Sequence, residues 1–558
     1  MKIIIAQQNY HIGNIAGNTA KIIDAIRSAK AEKADLVIFS ELSLCGYPPK
    51  DLLYFDEFIE KCNTAIHSIQ NETENIAVLI GAPQQNIDKQ GKKLFNAAYF
   101  LENRSIKHII QKTCIPTYDV FDEDRYFEPA KTWNIIEYKG KKIAVTICED
   151  IWNINDTLLY PISPMDILST QHPEMMINLS ASPFDYLHDE HRLSIVKANA
   201  LQYNIPIFYC NTVGSQTDLV FDGASIVVDH KGNLISRLKS FKEDAQCFNI
   251  DKNGKIEYAS ESIHTLEQNI IPQTFDPTFN ISQIYEALIL GIKDYFDKMG
   301  FNKAIIGNSG GIDSAVTIAL ATAALGKENV LTVLMPSAYS SSHSVTDAVE
   351  LCKILQIEYH VIPIEKINDA MLHELKPVFK EMPFNVAEEN IQSRIRGNIL
   401  MAIANKLNYI LLNTSNKSEL ATGYGTLYGD MAGGISVLGD CYKLQVYELA
   451  KFINKEKNVI PENIISKEPS AELRPNQKDS DSLPDYFILD KILYLFIEQT
   501  YSPDAIKKIG FDSTLVDKIL RMVNSNEYKR NQFCPIIRIS PKSFGSGRRL
   551  PIVAKHLS

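Results

Sequence analysis

The chain has 558 residues, too many for one hydrophobic core, and this length predicts about two to four domains. With 45% hydrophobic and 22% charged residues, the composition is that of an ordinary soluble globular protein rather than a disordered or membrane-spanning one. A net charge of -10 argues against a nucleic-acid-binding face, and no apolar run approaches the roughly 18 residues of a membrane span.

The N-terminal segment turns polar at Gln7, too soon for a secretory signal, and the nine cysteines include no C-x-x-C pair. The expectation is a cytoplasmic protein with reduced thiols, working on small molecules as a homo-oligomer, with no nucleic-acid or membrane partner.

Short apolar runs alternate with helical patterns from the start. Strands are predicted at 2–7, 36–39, 76–80, 96–101, 105–111, 142–147, 175–179, 205–210 and 224–228, and helices at 19–31, 54–70 and 190–203. This alternation suggests an α/β sandwich whose sheets are covered by helices. Three polar residues follow strand ends, where α/β folds place their chemistry: Glu41, Lys112 and Cys148. Singly, each reads as an exposed acid, a solvated lysine or a buried thiol.

Together, in the words F-S-E-L, Q-K-T-C-I-P-T-Y and T-I-C-E-D-I-W, they resemble the Glu–Lys–Cys constellation of the nitrilase superfamily. The chemistry accounts for the trio. A thiolate attacks a carboxamide carbon, a carboxylate takes the thiol proton and later activates water, and an ammonium stabilises the oxyanion. The resemblance implies Cys148 as nucleophile, Glu41 as general base and Lys112 as oxyanion partner, on a nitrilase-like αββα sandwich. The stretch from Pro116 to Phe127 is similar to that of glutaminase domains fused to NAD synthetases, which implies glutamine contacts by Tyr118 and by Ser182 in A-S-P-F. Where that family often has a basic residue six positions on, this chain has His188; His188 and Arg192 are the candidates for the glutamine carboxylate. The word His188-Asp189-Glu190-His191 lacks H-E-x-x-H spacing and reads better as an acidic helix start than as a metal site.

Residues 253–278 have little periodicity and read as a linker between a first domain, 1–252, and a second, 279–558. A helix is predicted at 282–298, then the strand 304–306, a glycine loop and a helix from Ile312 to Leu325. Strands at 330–335, 358–361 and 409–412 alternate with helices at 345–356 and 390–406, a βαβ order that implies a doubly wound parallel sheet.

Three readings compete for the loop Gly307-Asn308-Ser309-Gly310-Gly311-Ile312-Asp313-Ser314. It lacks the lysine of a Walker A loop. It matches G-x-S-x-G, the nucleophile elbow of serine hydrolases, with Ser309 as nucleophile. It also matches S-G-G-x-D-S in full, and so resembles the pyrophosphate loop of ATP-dependent adenylating amidases and synthetases. The words around Asn390, Thr414, Glu419 and Glu472 resemble the NAD synthetase family, so the likeness covers nearly the whole chain.

The resemblance implies that Gly307, Asn308, Ser309, Gly310, Gly311, Ile312, Asp313, Ser314 and Thr414 meet ATP. It implies that Asn390, Glu419 and Lys529 meet nicotinic acid adenine dinucleotide (deamido-NAD), and that Asp313 and Glu419 hold Mg2+. The activity implied is adenylation of deamido-NAD by ATP, then amidation by ammonia from glutamine. An ammonia-only synthetase with a scaffold-like first domain stays open as the alternative. A polar segment at 478–483 reads as a lid over the site.

Overall fold

The run Ile3-Ile4-Ile5-Ala6 shows no polar alternation because its strand, Lys2–Gln7, is covered on both faces. In this structure, a computed structural model, residues 1–88, 90–154, 158–251, 254–258, 271–470, 472–474, 477, 479–481 and 483–555 are described. The chain forms two compact units, Met1–Ile271 and Pro272–Ser558.

The first unit contains a seven-stranded sheet in the order Ile256–Tyr258, Asp244–Ile250, Lys2–Gln7, Leu36–Ile38, Ala77–Gln85, Leu94–Glu102 and Ser105–Gln111. A six-stranded sheet runs Leu234–Arg237, Ile226–Val228, Ile207–Asn211, Met175–Ser180, Lys141–Ile147 and Ile136–Tyr138. Alternate residues of the two sheets, such as Ile3, Ile5, Leu79, Val145, Ile177 and Phe208, share one core. The opposite face of the first sheet, with Ile4 and Val37, packs on Ile22 and Ile26 of helix Ile15–Ala31 and on Ile66 and Ile69 of helix Asp56–Asn71. The outer face of the second packs on Leu193, Val196 and Ala200 of helix His188–Tyr203. The expected αββα sandwich is the observed one. Each wholly buried isoleucine in these layers contributes about 1.5–3 kcal/mol relative to exposure.

Differences from the expected elements have local causes. The strand expected from Ala224 begins at Ile226, since Ala224 itself has φ +48° and cannot continue an extended ladder. The stretch expected as linker opens with strand Ile256–Tyr258, which hairpins onto Asp244–Ile250. Asp251 Oδ1 accepts from the Lys255 amide at 2.8 Å and Gly254 supplies a φ of +81°, so a polar tight turn had the composition of a linker. Residues 253 and 259–270 of that stretch lie outside the described residues.

The second unit carries a parallel five-stranded sheet, ordered Glu358–Val361, Val330–Leu334, Ala304–Gly307, Ile410–Asn413 and Ile435–Ser436. The strand order reverses beside Ala304–Gly307, and a ligand crevice is expected where the loops after Gly307 and Asn413 diverge. Helix Ile312–Leu325 is apolar on every side and buried from Ser314 to Ala321. Helix Val386–Leu407 begins four residues before the expected start, because Asn385 accepts from the Ala387 amide while Glu388 accepts from the Asn385 amide. Helices Tyr486–Ile497 and Ser513–Ser525, for which no expectation was formed, build a further core around Leu489, Leu493, Ile519 and Val523.

Candidate active sites

In the first unit, three strand ends bring Glu41, Lys112 and Cys148 into one electrostatic cluster, all buried. Lys112 Nζ donates to Glu41 Oε1 at 2.7 Å and to both oxygens of Glu123, at 2.8 and 3.0 Å. Asn96 Nδ2 donates to Glu41 Oε1 at 2.7 Å, and the Ala181 amide to Glu41 Oε2 at 3.0 Å. Tyr47 donates its hydroxyl to Glu123 at 2.9 Å. Glu123 was not singled out in the sequence, yet it is the second carboxylate on the lysine. Burial works against charge on Lys112, but Glu123 and Glu41 outweigh it and hold the ammonium well above its ordinary pKa.

Cys148 has φ +43°, a conformation uncommon for a side chain of its kind, where strand Lys141–Ile147 turns into Cys148–Ile151. Asp150 braces that turn. Its Oδ2 accepts from the Ile147 amide at 2.9 Å, and its Oδ1 from the amides of Thr113 and Cys114 at 2.9 and 2.8 Å. One carboxylate thus ties the cysteine turn to the loop that carries Lys112. Burial, then the charge of Glu41, holds the Cys148 thiol well above its usual range, with Lys112 opposing them. A neutral thiol in such a place needs a base before it can act as a nucleophile, and Glu41 is the carboxylate beside it.

Around this cluster, Tyr118 donates to both oxygens of Glu149 at 2.9 and 3.0 Å, and Tyr160 to one at 3.1 Å. Burial pushes the Glu149 carboxyl up to about 7 against the pull of Lys112 and the two tyrosines. Ser182 Oγ lies 2.7 Å from His188 Nε2, and the imidazole stacks on Trp152 at 5.1 Å between centroids. Arg192, the other candidate for a carboxylate contact, is 1% exposed and bound to Asp222 at 2.9 Å and Asp189 at 2.9 Å. Its guanidinium is committed to those two acids, which leaves His188 beside Ser182.

In the second unit, a cavity of about 430 Å³ opens at the strand C-termini. Gly307, Asn308, Ser309, Gly311, Ile312, Asp313, Ser314, Asn390, Thr414, Glu419 and Lys529 all line it. Gly310 stands behind the wall with φ +74°, and a Cβ there would lie 2.2 Å from the Ser344 carbonyl oxygen. Asn308 turns its amide inward: Oδ1 accepts from the Gly310 amide at 3.2 Å and Nδ2 donates to the Ala348 carbonyl at 3.2 Å. Ser309 Oγ meets the Ser314 hydroxyl and the Gly311 amide, both at 3.2 Å, and neither is a base. Ser309 also lacks the positive φ that marks Cys148. The nucleophile-elbow reading therefore fails, and the loop offers hydroxyls and amides at a helix start, a setting for phosphate.

Asp313 is held by Asn416 Nδ2 at 2.9 Å and by the Lys443 ammonium at 2.5 Å, which also lies 3.7 Å from Glu419. Burial and the neighbouring Asp313 push the Glu419 carboxyl well up, with Lys443 pulling it back. Lys443, a lining residue, had no signal of its own in the sequence, and Asp479, also in the wall, was marked only as part of the segment expected as a lid. Asn390 accepts from the Thr426 hydroxyl at 2.7 Å, and Lys529 Nζ donates to the carbonyls of Gly423 and Gly425 at 2.8 and 2.9 Å. Of the segment expected as a lid, Lys478 and Ser482 lie outside the described residues; Asp479 accepts from Tyr424 and Tyr486 at 3.2 and 3.0 Å. No group of three or more His, Cys, Asp or Glu able to hold a metal occurs among the described residues. Asp313 and Glu419 are nevertheless the ligand type that suits Mg2+, which takes one or two carboxylates and completes its shell with phosphate and water oxygens, although here the Lys443 ammonium lies between them.

The chain matches a family model described as carbon-nitrogen hydrolase over residues 2–259 and one described as NAD synthase over residues 284–533. It is 44% identical to a glutamine-dependent NAD(+) synthetase of Synechocystis sp. across 99% of this chain and 98% of that protein. It is 39% identical to the protein of the same name from Thermotoga maritima, again across 99% and 98%. The solved structure of a glutamine-dependent NAD+ synthetase from Acinetobacter baumannii in complex with ADP superposes with a TM-score of 0.77 at 38% identity, covering 99% of this chain and 98% of that one.

Proposed function

The chain belongs to the glutamine-dependent NAD(+) synthetases, a family of ligases, and we propose that its two sites divide that reaction between a glutaminase and an ATP-dependent amidation. The observation that carries this reading is the presence in one chain of a buried acid–lysine–acid cluster around a strained cysteine and of a phosphate-loop cavity with facing carboxylates.

At the first site, Glu41 takes the Cys148 proton as sulfur attacks the glutamine carboxamide carbon. The Lys112 ammonium stabilises the tetrahedral oxyanion. Glu41 returns the proton to the departing nitrogen, ammonia leaves, and a thioester remains. Glu41 then deprotonates water, which releases glutamate and restores the thiol. Tyr118, Ser182 and His188 hold the glutamine, with His188 meeting its α-carboxylate.

At the second site, Gly307 to Ser314 and Thr414 hold ATP, while Asn390, Glu419 and Lys529 hold deamido-NAD. The nicotinate carboxylate oxygen attacks the α-phosphorus, pyrophosphate leaves, and the oxygen of a poor leaving group becomes that of an acyl adenylate. Ammonia adds to the acyl carbon and AMP departs, giving the nicotinamide. Asp313 and Glu419 would hold Mg2+, which neutralises phosphate charge when bound. Lys443 adds a fixed positive charge between the carboxylates of Asp313 and Glu419.

We read the protein as cytoplasmic, since its cysteines are free and no helix among the described residues is long and apolar enough to cross a membrane. We read it also as a homo-oligomer: Val378, Met382, Phe384 and Val386 leave large apolar side chains exposed close together in the chain. The test of function is product stoichiometry with deamido-NAD, ATP, Mg2+ and glutamine. NAD, AMP, pyrophosphate and glutamate in equal amounts support the reading; ADP in place of AMP, or no NAD, overturns it.

A further inference from the structure

Asp490 lies on helix Tyr486–Ile497, is wholly buried, and does not reach the cavity wall. Its Oδ1 accepts from the Ser418 hydroxyl at 2.5 Å and its Oδ2 from the Leu444 amide at 2.9 Å. Ser418 Oγ in turn accepts from the Lys443 amide at 2.9 Å. One carboxylate thereby closes a ring through the first turns of two other helices, Lys417–Thr422 and Lys443–Ile453.

What those turns carry gives the ring its significance. Ser418 precedes Glu419, and Lys443 precedes Leu444. The Lys443 ammonium lies between Asp313 and Glu419, at 2.5 and 3.7 Å. Asn416, which caps helix Lys417–Thr422, fixes the other oxygen of Asp313 at 2.9 Å. The helix that bears Asp490 also sets Tyr486, whose ring lies 5.4 Å from the same ammonium. A buried carboxyl satisfied by a hydroxyl and an amide is an expensive joint between helices, and an apolar contact would hold them together at less cost. Its directional bonds give what an apolar contact cannot, a fixed rotation and register of each helix start.

We propose that Asp490 is a positioning residue for the nucleotide half of the reaction, locking the two helix starts that bring Glu419 and Lys443 to Asp313. This rests on the reading of the cavity as the place where ATP and the acid dinucleotide meet. A displacement of these groups by about 1 Å is enough to cost up to about 100-fold in rate.

The experiment uses the full chain with ATP, Mg2+, deamido-NAD and ammonium chloride, which bypasses the first site, and reads AMP release per folded molecule. Asp490→Asn is expected to lower kcat about 10- to 100-fold, with a smaller change in the KM for ATP and with glutamine hydrolysis retained. Ser418→Ala, a smaller change within the same ring, is expected to lower kcat in the same direction. The double variant is expected to be no slower than the slower single one, because both remove one joint. A residue that only stabilises the fold would lower the melting temperature and leave kcat per folded molecule intact. Should Asp490→Asn not fold, Ser418→Ala carries the test alone. Wild-type kcat in the folded variants overturns the inference by itself, whereas a wild-type chain that releases no AMP overturns the reading of the cavity and the inference with it.

Discussion

Replacing Glu123 by glutamine tests how the glutaminase site is tuned. The Lys112 ammonium has three N–H donors, and Glu41 and Glu123 take them at 2.7, 2.8 and 3.0 Å. In Glu123→Gln the amide oxygen still accepts one bond, but its charge is gone, and a charge-assisted bond contributes about 1.5–3 kcal/mol against about 1 for a neutral one. The whole attraction of Lys112 then falls on Glu41, which is less free to act on the Cys148 thiol. A loss of about 2 kcal/mol in the transition state is about 30-fold in rate. Glutamate release at saturating glutamine should therefore drop about 10- to 100-fold, while NAD synthesis from ammonium chloride stays at the wild-type rate. A folded variant that releases glutamate within threefold of wild type would refute the reasoning, because Glu123 would then neither hold Lys112 nor share its attraction with Glu41.

Three further outcomes follow from other contacts. Gly310→Ala places a Cβ 2.2 Å from the Ser344 carbonyl oxygen at φ +74°, so ATP-dependent synthesis should fall steeply, with a stability loss of about 1–3 kcal/mol in urea unfolding and glutamine hydrolysis preserved. Glu149, with its folded-state pKa raised from 4.5 to about 7, keeps its proton in the fold when the unfolded chain has lost it. Stability therefore declines as pH rises from about 4.5 to 7, by about 3 kcal/mol in total, and Glu149→Gln should abolish that share of the difference between denaturant midpoints at pH 5 and pH 8. Finally, fusion of the two activities predicts a protected route for ammonia, since the protonated form in water is no nucleophile. Hydroxylamine added during glutamine-driven turnover should divert only a small part of the product, and complete diversion would rule the route out.

The sequence made the layers legible for a physical reason. Strands covered on both faces are continuous apolar runs, so Lys2–Gln7 and Lys141–Ile147 stood out, and so did the polar residues just past their ends. Glu123 was hidden because it lies in the acidic run Asp122-Glu123-Asp124, which reads as a solvated loop. The turn Glu123–Arg125 sends Asp124 out to Lys92 and Glu123 in to Lys112, and no periodicity announces which acid goes where. Lys443 and Asp490 were hidden for a related reason: each is buried by partners remote in sequence, Asp313 for the first and Ser418 for the second. A lysine or aspartate near a helix start ordinarily reads as solvated. Asn308 shows the converse, a residue that stands out in the loop and lines the cavity while its side chain serves the loop itself.

The central claim is that Cys148 supplies the nitrogen for the amidation carried out in the second unit. Its most direct test is one variant, Cys148→Ala, assayed for NAD formation with glutamine and, separately, with ammonium chloride. The account predicts that glutamine-driven synthesis is lost while ammonia-driven synthesis continues near the wild-type rate. Undiminished synthesis from glutamine would contradict it.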